Sequence, residues 1–392
     1  MKMKLIGVAA MVLATGAYAQ SSVTLYGRID NGVSYRTGLP SGHLFGTETG
    51  GWGESWWGLI GSEDLGDGTK AIFQLESGIN TNTGGMNNGG LFGRHATVGM
   101  SNSKYGTFKL GNLGAGFLTQ DSWDLDPQEM QAYNIATLDR GRVWEQAGNG
   151  FEYTSPNLNG LTLKGQYALT NTVGNWNGTN GGPGTDPSNL GAPQGRVDGV
   201  KAMYNNHNLE LLAIYDEVRD RNGQFSNVYA ASREAMVGGT YTWGPLKAYV
   251  GYQHLSAPQA TLQNQGLTAT AVTGTLPGGV TGAPTAVDHE WVGVNYTVSP
   301  FLSVTGGVYH ANANKGNGNA TLYSLGAAYN LSKRTFLYTE LGYVTNSASS
   351  NVGLGNGYSD YYGPNTNEGG TSGAPNYGRS QFGAIAGIMH MF

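Results

Sequence analysis

Residues 23–35 read Val23-Thr24-Leu25-Tyr26-Gly27-Arg28-Ile29-Asp30-Asn31-Gly32-Val33-Ser34-Tyr35. Val23, Leu25, Ile29, Val33 and Tyr35 fall on one face of an extended chain, and Thr24, Arg28, Asp30 and Ser34 fall on the other. Side chains of a strand alternate between two faces, so this stretch predicts a β-strand with one apolar and one wet surface. The pattern recurs along the chain. Leu161, Leu163, Tyr167 and Leu169 oppose Thr162, Lys164 and Gln166. Leu209, Leu211, Ala213 and Tyr215 oppose Glu210 and Asp216, and Leu246, Ala248, Val250 and Tyr252 oppose Lys247 and Gln253. No segment carries a long helical period.

The connections take turns in length. Short ones rich in turn residues lie at 62–68, 101–106, 155–160, 205–208, 243–245, 299–300 and 330–334. Long polar ones rich in Gly and Asn lie at 36–53, 78–91, 113–148, 170–196, 217–233, 254–287, 311–319 and 345–379. Seven short and eight long connections join sixteen strands in one antiparallel meander. An even strand number, with tight turns at one end and long loops at the other, is the sequence signature of an outer-membrane β-barrel. A soluble β-sandwich also alternates. It would not place polar residues on the face opposite the apolar one throughout a closed wall, nor show this loop asymmetry. About sixteen strands enclose an aqueous lumen, because barrel diameter grows with strand number. The expectation is an all-β, sixteen-stranded transmembrane barrel with short periplasmic turns and long outer loops. Tyr and Trp recurring near strand ends, among them Tyr26, Tyr35, Tyr153, Trp243, Tyr296 and Tyr343, fit the aromatic girdles of such a wall.

Composition supports this class. Only 12% of the 392 residues are charged, against about 25% in ordinary soluble proteins. There are 65 glycines, 23 tyrosines and no cysteine, which excludes disulfides and thiolate chemistry. The net charge is −5 with no basic tail, so nucleic acid is not an expected partner. Lys2 and Lys4 precede an apolar run and an Ala17-Tyr18-Ala19 site, which reads as a secretory signal peptide over 1–19 rather than a buried helix. Its removal leaves a single barrel domain, 20–392, and takes the net charge to −7 by loss of the two lysines.

Several blocks resemble the Gram-negative general porins of the neisserial and β-proteobacterial type. They include Val23-Thr24-Leu25-Tyr26-Gly27-Arg28-Ile29-Asp30, Gly61-Ser62-Glu63-Asp64-Leu65-Gly66-Asp67-Gly68 and Leu91-Phe92-Gly93-Arg94. Tyr105-Gly106-Thr107-Phe108-Lys109-Leu110-Gly111, Tyr153-Thr154-Ser155-Pro156-Asn157 and the terminal His390-Met391-Phe392 continue the set. The resemblance implies a homotrimeric diffusion channel in the outer-membrane lipid, passing small hydrophilic solutes and ions. It also implies a third loop, here 113–148, folded into the lumen. Departures from the family pattern at Trp56, Ile60, Asn112, Glu152 and Met389 each remove positive charge or add negative charge, so strong anion preference is not expected. Phe392, a terminal aromatic on an amphipathic strand, resembles the signal read by the outer-membrane insertion machinery.

A channel of this kind does no chemistry, and its selectivity comes from the charges at its narrowest point. The inward phase of the strands carries Arg28, Lys70 and Lys109 among its bases and Glu152 among its acids. Arg94 falls on the outward phase unless a bulge or an early strand end intervenes. The third loop adds Asp121, Asp124, Asp126 and Glu129, then Arg140 and Arg142. Loop acids facing wall bases would set a transverse field across the constriction. No cofactor or metal pattern emerges. Gly111-x-x-Gly114-x-Gly116 precedes no helix, and Asp124-Leu125-Asp126 lacks an EF-hand spacing. Asp288-His289 reads as a solvated loop pair without a catalytic serine motif, which leaves a barrel enzyme as a weak alternative. A substrate-specific channel on the same fold is the stronger one.

Overall fold

The computed structural model describes residues 22–39, 42–87, 89–114, 116, 122–129, 132–140, 142, 147–169, 194–220, 222–262, 277–355 and 374–392. Six strand segments precede the third loop: β1 (Ser22–Leu39), β2 (Gly42–Thr49), β3 (Ser55–Gly66), β4 (Thr69–Ile79), β5 (His95–Asn102) and β6 (Gly106–Asn112). Next come β7 (Gly150–Thr154), β8 (Leu161–Ala168), β9 (Gln194–Asn206), β10 (Leu209–Asp220), β11 (Arg233–Trp243) and β12 (Leu246–Ser256). The wall ends with β13 (Ala286–Ser299), β14 (Leu302–Ala313), β15 (Gly318–Asn330), β16 (Thr335–Asn346) and β17 (Gln381–Met391). Neighbours pair antiparallel, and β1 pairs with β17, which closes the sheet and removes its edges. Both β2 and β3 pair with β1, β3 along its first half and β2 along its second. They are two halves of one barrel strand, so the closed wall has sixteen.

That interruption corrects the reading of 36–53 as a long loop. Its Gly- and Thr-rich sequence hides a strand that pairs back onto β1, with Tyr35 opposite Phe45 and Asn31 opposite Thr49. The chain then leaves the sheet at 50–54 and folds into the lumen. Asp30 holds it there, its carboxylate accepting from the Trp52 and Gly53 amides at 2.7 and 2.8 Å and from the Tyr338 hydroxyl at 2.6 Å. The Trp52 ring packs against Phe336 at 4.8 Å between centroids.

Alternation assigns the two surfaces. On β10, Leu211, Ala213 and Tyr215 point out and are exposed, while Leu212, Ile214 and Asp216 point in and are buried. Exposed Val237, Val250, Val292 and Leu325 extend the apolar belt. Trp243, Tyr296, Phe301 and Tyr329 ring its short-turn end. Tyr26, expected in a girdle, instead faces the lumen and donates to Glu76 at 2.8 Å. At the short-turn end, Asp67 (φ 51) and Gly68 (φ 72) make the two-residue hairpin joining β3 to β4. Both central residues take positive φ, as a type I′ turn requires.

The buried core lies inside the barrel. The third loop forms a 3-10 turn at Ser122–Leu125 and a one-turn helix at Ile135–Asp139, capped by the Asn134 side chain accepting from Ala136 N–H. Leu125, Tyr133, Ile135 and Leu138 pack against inward residues of the wall, among them Met236, Trp291, Tyr309, Leu322 and Ile385.

Candidate pore constriction

The third loop is seated along the inner wall from β11 to β17 by glycines. At Gly238, Gly326, Gly342 and Gly383 a methyl group would come under 3.0 Å from Leu125, Gln128 or Tyr133 of the loop. Gly293 stands likewise under Pro127. Directed bonds fix the register. Trp291 Nε1 donates to the Leu125 carbonyl at 2.8 Å, and Tyr309 donates to Asp126 at 2.6 Å. Gln128 Nε2 donates to Ser324 at 2.9 Å, and the Tyr133 amide donates to Glu340 at 2.9 Å.

This seating separates the expected loop charges into two groups. Asp124 and Glu129 are exposed to the channel. Although its surface meets the channel, the surrounding loop and wall partly desolvate the Glu129 carboxyl and raise it above its ordinary range; Lys247 pulls it back, and Asp124 adds to the rise. Asp126, Arg140 and Arg142 were expected at the constriction but are buried, because they anchor the loop. Asp126 accepts from the Gln128 amide at 2.8 Å as well as from Tyr309, and burial pushes it up to about 6. Arg140 Nη2 donates to Asn351 at 3.0 Å. Arg142 pairs with Asp216 on β10 and donates from Nε to Ser232 at 2.9 Å. Asp121 lies outside the described residues.

The wall candidates also divide. Lys70 is exposed one residue into β4, next to the hairpin turn, and therefore sits at the channel mouth rather than at its waist. Arg94 precedes β5, so strand alternation does not bind it. It turns inward to pair with Glu54 and, at 2.6 Å, with Glu76. Glu152 is buried between two lysines, 3.8 Å from Lys109 and 3.1 Å from Lys164. Lys164 stands directly opposite Lys201 in the ladder, and Lys247 lies 3.9 Å from Glu210.

Arg28 donates to the Glu54 carbonyl at 2.8 Å and stacks between two indoles. Its guanidinium is 5.5 Å from the Trp56 centroid and 5.9 Å from that of Trp123 on the third loop. Arg94 lies 5.8 Å from Trp56. The loop therefore reaches across the lumen to the β1 wall through Trp123. Neither tryptophan was singled out as a site residue. The available signal was the inward phase of Trp56, directly opposite Arg28 in the ladder. Asp288 and His289, read as a loop pair, sit on β13 with opposite orientations. Asp288 points out to His254 at 2.7 Å, and His289 is buried inward.

The model of the Gram-negative porin family matches residues 7–349. The chain belongs to that family. This porin is 29% identical to an outer membrane porin protein of Bordetella pertussis, over 87% of its own length and 95% of the relative's. It is 28% identical to outer membrane porin protein 32 of Delftia acidovorans over the full length of both. Among solved structures, an anion-selective porin from Comamonas acidovorans superposes with a TM-score of 0.72 at 24% identity, covering 95% of this chain and 100% of that one. The porin is an outer-membrane channel whose barrel crosses the bilayer with strands.

Proposed function

We propose that this porin is a general diffusion pore of weak ion selectivity for small hydrophilic solutes, not an enzyme and not a substrate-specific channel. It is exported with residues 1–19 removed, inserts with its short turns in the periplasm, and assembles as a homotrimer. One observation carries the reading of selectivity. Arg94, Lys109, Lys164 and Lys247 each lie within 4.0 Å of a carboxylate, and the acids Asp124 and Glu129 add to the negative side. The Comamonas relative is described as anion-selective; in this chain the wall bases are offset nearly one for one. Planar-bilayer recording on the purified protein is the test. Large ohmic openings in steps of three, with a reversal potential near zero in a salt gradient, are expected. Small openings blocked saturably by one solute would overturn the reading in favour of a specific channel.

Assembly gives a second test. Phe392 continues the β1–β17 ladder, its amide donating to the Gly27 carbonyl at 3.0 Å and its carbonyl accepting from Gly27 at 3.2 Å. Its ring lies over Gly27, where a side chain would collide with it. Gly27, Gly383 and Gly387 are three of the small residues at this seam. Gly27 is covered by this ring, and the other two stand against inward-facing tyrosines. That leaves Ala384 and Ala386 as the small outward residues of the seam. Deleting Phe392 should lower the amount of inserted trimer in cells through loss of the terminal aromatic signal. Membrane levels equal to those of the intact protein would reduce Phe392 to one more lipid-facing side chain.

A further inference from the structure

We propose that the outward face of β8 to β11 holds one molecule of a phosphorylated outer-leaflet saccharolipid, its phosphate on Arg196, Arg219 and Arg233 and one acyl chain in the groove beneath them. The proposal rests on the orientation given above, with the loop ends of these strands in the outer leaflet.

Arg196 and Arg219 stand directly opposite each other in the β9–β10 ladder. Like charges so placed on one face repel, and such a pair needs an anion. Glu217 is the shared counter-ion, 2.5 Å from Arg219, 3.6 Å from Arg196 and 3.7 Å from Arg233. Asp198 takes Arg196 Nε at 2.5 Å. Among the described residues of this face, three guanidiniums stand against two carboxylates, an excess of one positive charge. Arg219 Nε is buried with no hydrogen-bond partner among the described residues. The heads are also held in place. Those of Arg219 and Arg233 lie 4.1 and 4.3 Å from the buried Phe225 ring, and that of Arg196 lies 5.7 Å from Tyr167. Pre-positioned guanidinium forks match phosphate oxygens in charge and geometry.

The groove begins one rung below Glu217 and Arg233 and two rungs below the Arg196–Arg219 pair. Tyr153, Gly165, Val200 and Tyr215 form a single row across β7 to β10. The small residues Gly165, Ala202 and Ala213 leave a depression of about 450 Å³ between the two tyrosines. Two residues of strand advance about 7 Å and four about 13 Å, so the groove, Arg233 and the Arg196–Arg219 pair lie within the reach of one lipid molecule. Tyr215 joins them: it lines the groove and donates from its hydroxyl to Glu217 at 2.8 Å. The face looks into the bilayer, eight strands away from the β1–β17 seam, so the occupant is a lipid. The arginines select one whose headgroup carries phosphate.

The test uses the purified full-length porin in mild detergent, with native mass spectrometry counting bound lipid. The probes are diphosphoryl lipid A, its dephosphorylated form and inorganic phosphate. Diphosphoryl lipid A should bind with a saturable stoichiometry of one per chain. The R196Q/R219Q double variant should weaken this by at least about tenfold, and Ala213→Phe, which fills the groove, should weaken it severalfold. Phosphate alone should not displace the lipid. Conductance should be unchanged in both variants, since all three positions face outward; that separate readout distinguishes failure of this site from failure of the diffusion-pore reading. Equal binding of dephosphorylated lipid A, or undiminished binding by both variants, would overturn the proposal, as would full displacement by inorganic phosphate.

Discussion

Replacing Arg142 by Ala should leave the barrel intact while unseating the third loop. Arg142 is fully buried and pairs with Asp216, itself buried on β10. Removing one partner of a buried pair leaves the other charged in a dry site, at a cost of about 3–5 kcal/mol. The wall ladder contains none of these side-chain bonds, so the loss falls on the loop. The expected result is a trimer of normal heat resistance whose single-channel conductance is larger and noisier than that of the wild type. Gly293→Leu provides an independent check, because it drives a side chain into Pro127 without touching any charge. Conductance and noise unchanged in both variants would show that the loop is held by something other than this seat.

The same anchor has a pH dependence. Burial pushes the Asp139 carboxyl up to about 8, with Arg142 opposing the rise. An acid whose docked-state pKa is raised binds its proton more tightly when docked than when released. The contribution of this group to docking is therefore fully present below the ordinary aspartate pKa of about 4 and is lost as pH rises toward about 8. Above that value the penalty is complete and constant. Channel noise in the wild type should rise between about pH 5 and pH 8 and then level off. Noise that falls over that interval would contradict the assignment.

The wall was legible because a barrel strand has only two environments. The outward phase of β10 (Leu209, Leu211, Ala213, Tyr215) is apolar throughout and the structure follows it, while Leu212 and Ile214 break the polar inward phase and are buried inside the barrel. The strand through 42–49 was not legible, since its two large apolar residues, Leu44 and Phe45, are adjacent and fall on opposite faces, with only Gly, Thr, His and Glu around them. The loop charges show a different limit. Asp124 and Asp126 are two residues apart with the same chemistry, yet one faces the channel and the other is sealed under Tyr309. What separates them is the path of the loop over the glycines of β11 to β17. Those glycines are distant in sequence and look no different from the many others of this chain. Tertiary packing, which no local pattern encodes, decided which carboxylates meet water.

Ion preference should respond to the wall lysines and the loop acids with opposite signs. Lys164 and Lys201 stand side by side on the inner wall, and Asp124 and Glu129 project from the loop. Salt at physiological strength screens charges over about 8 Å, so each acts on an ion passing close to it. Two unit charges about 8 Å apart interact by about 0.5–1 kcal/mol at an effective dielectric of roughly 40–80. One charge then changes the local ion concentration about two- to sixfold, and a pair acting together changes it more. Substituting Lys164 and Lys201 with Gln should move the reversal potential toward cations. Substituting Asp124 with Asn and Glu129 with Gln should move it toward anions. Arg28→Ala should shift it toward cations as well and also loosen the Trp56–Trp123 stack, adding noise that the lysine variant lacks. None of these side chains faces lipid, so each variant should keep its trimer. Reversal potentials that shift in one common direction, or stay fixed, would remove these residues from the constriction.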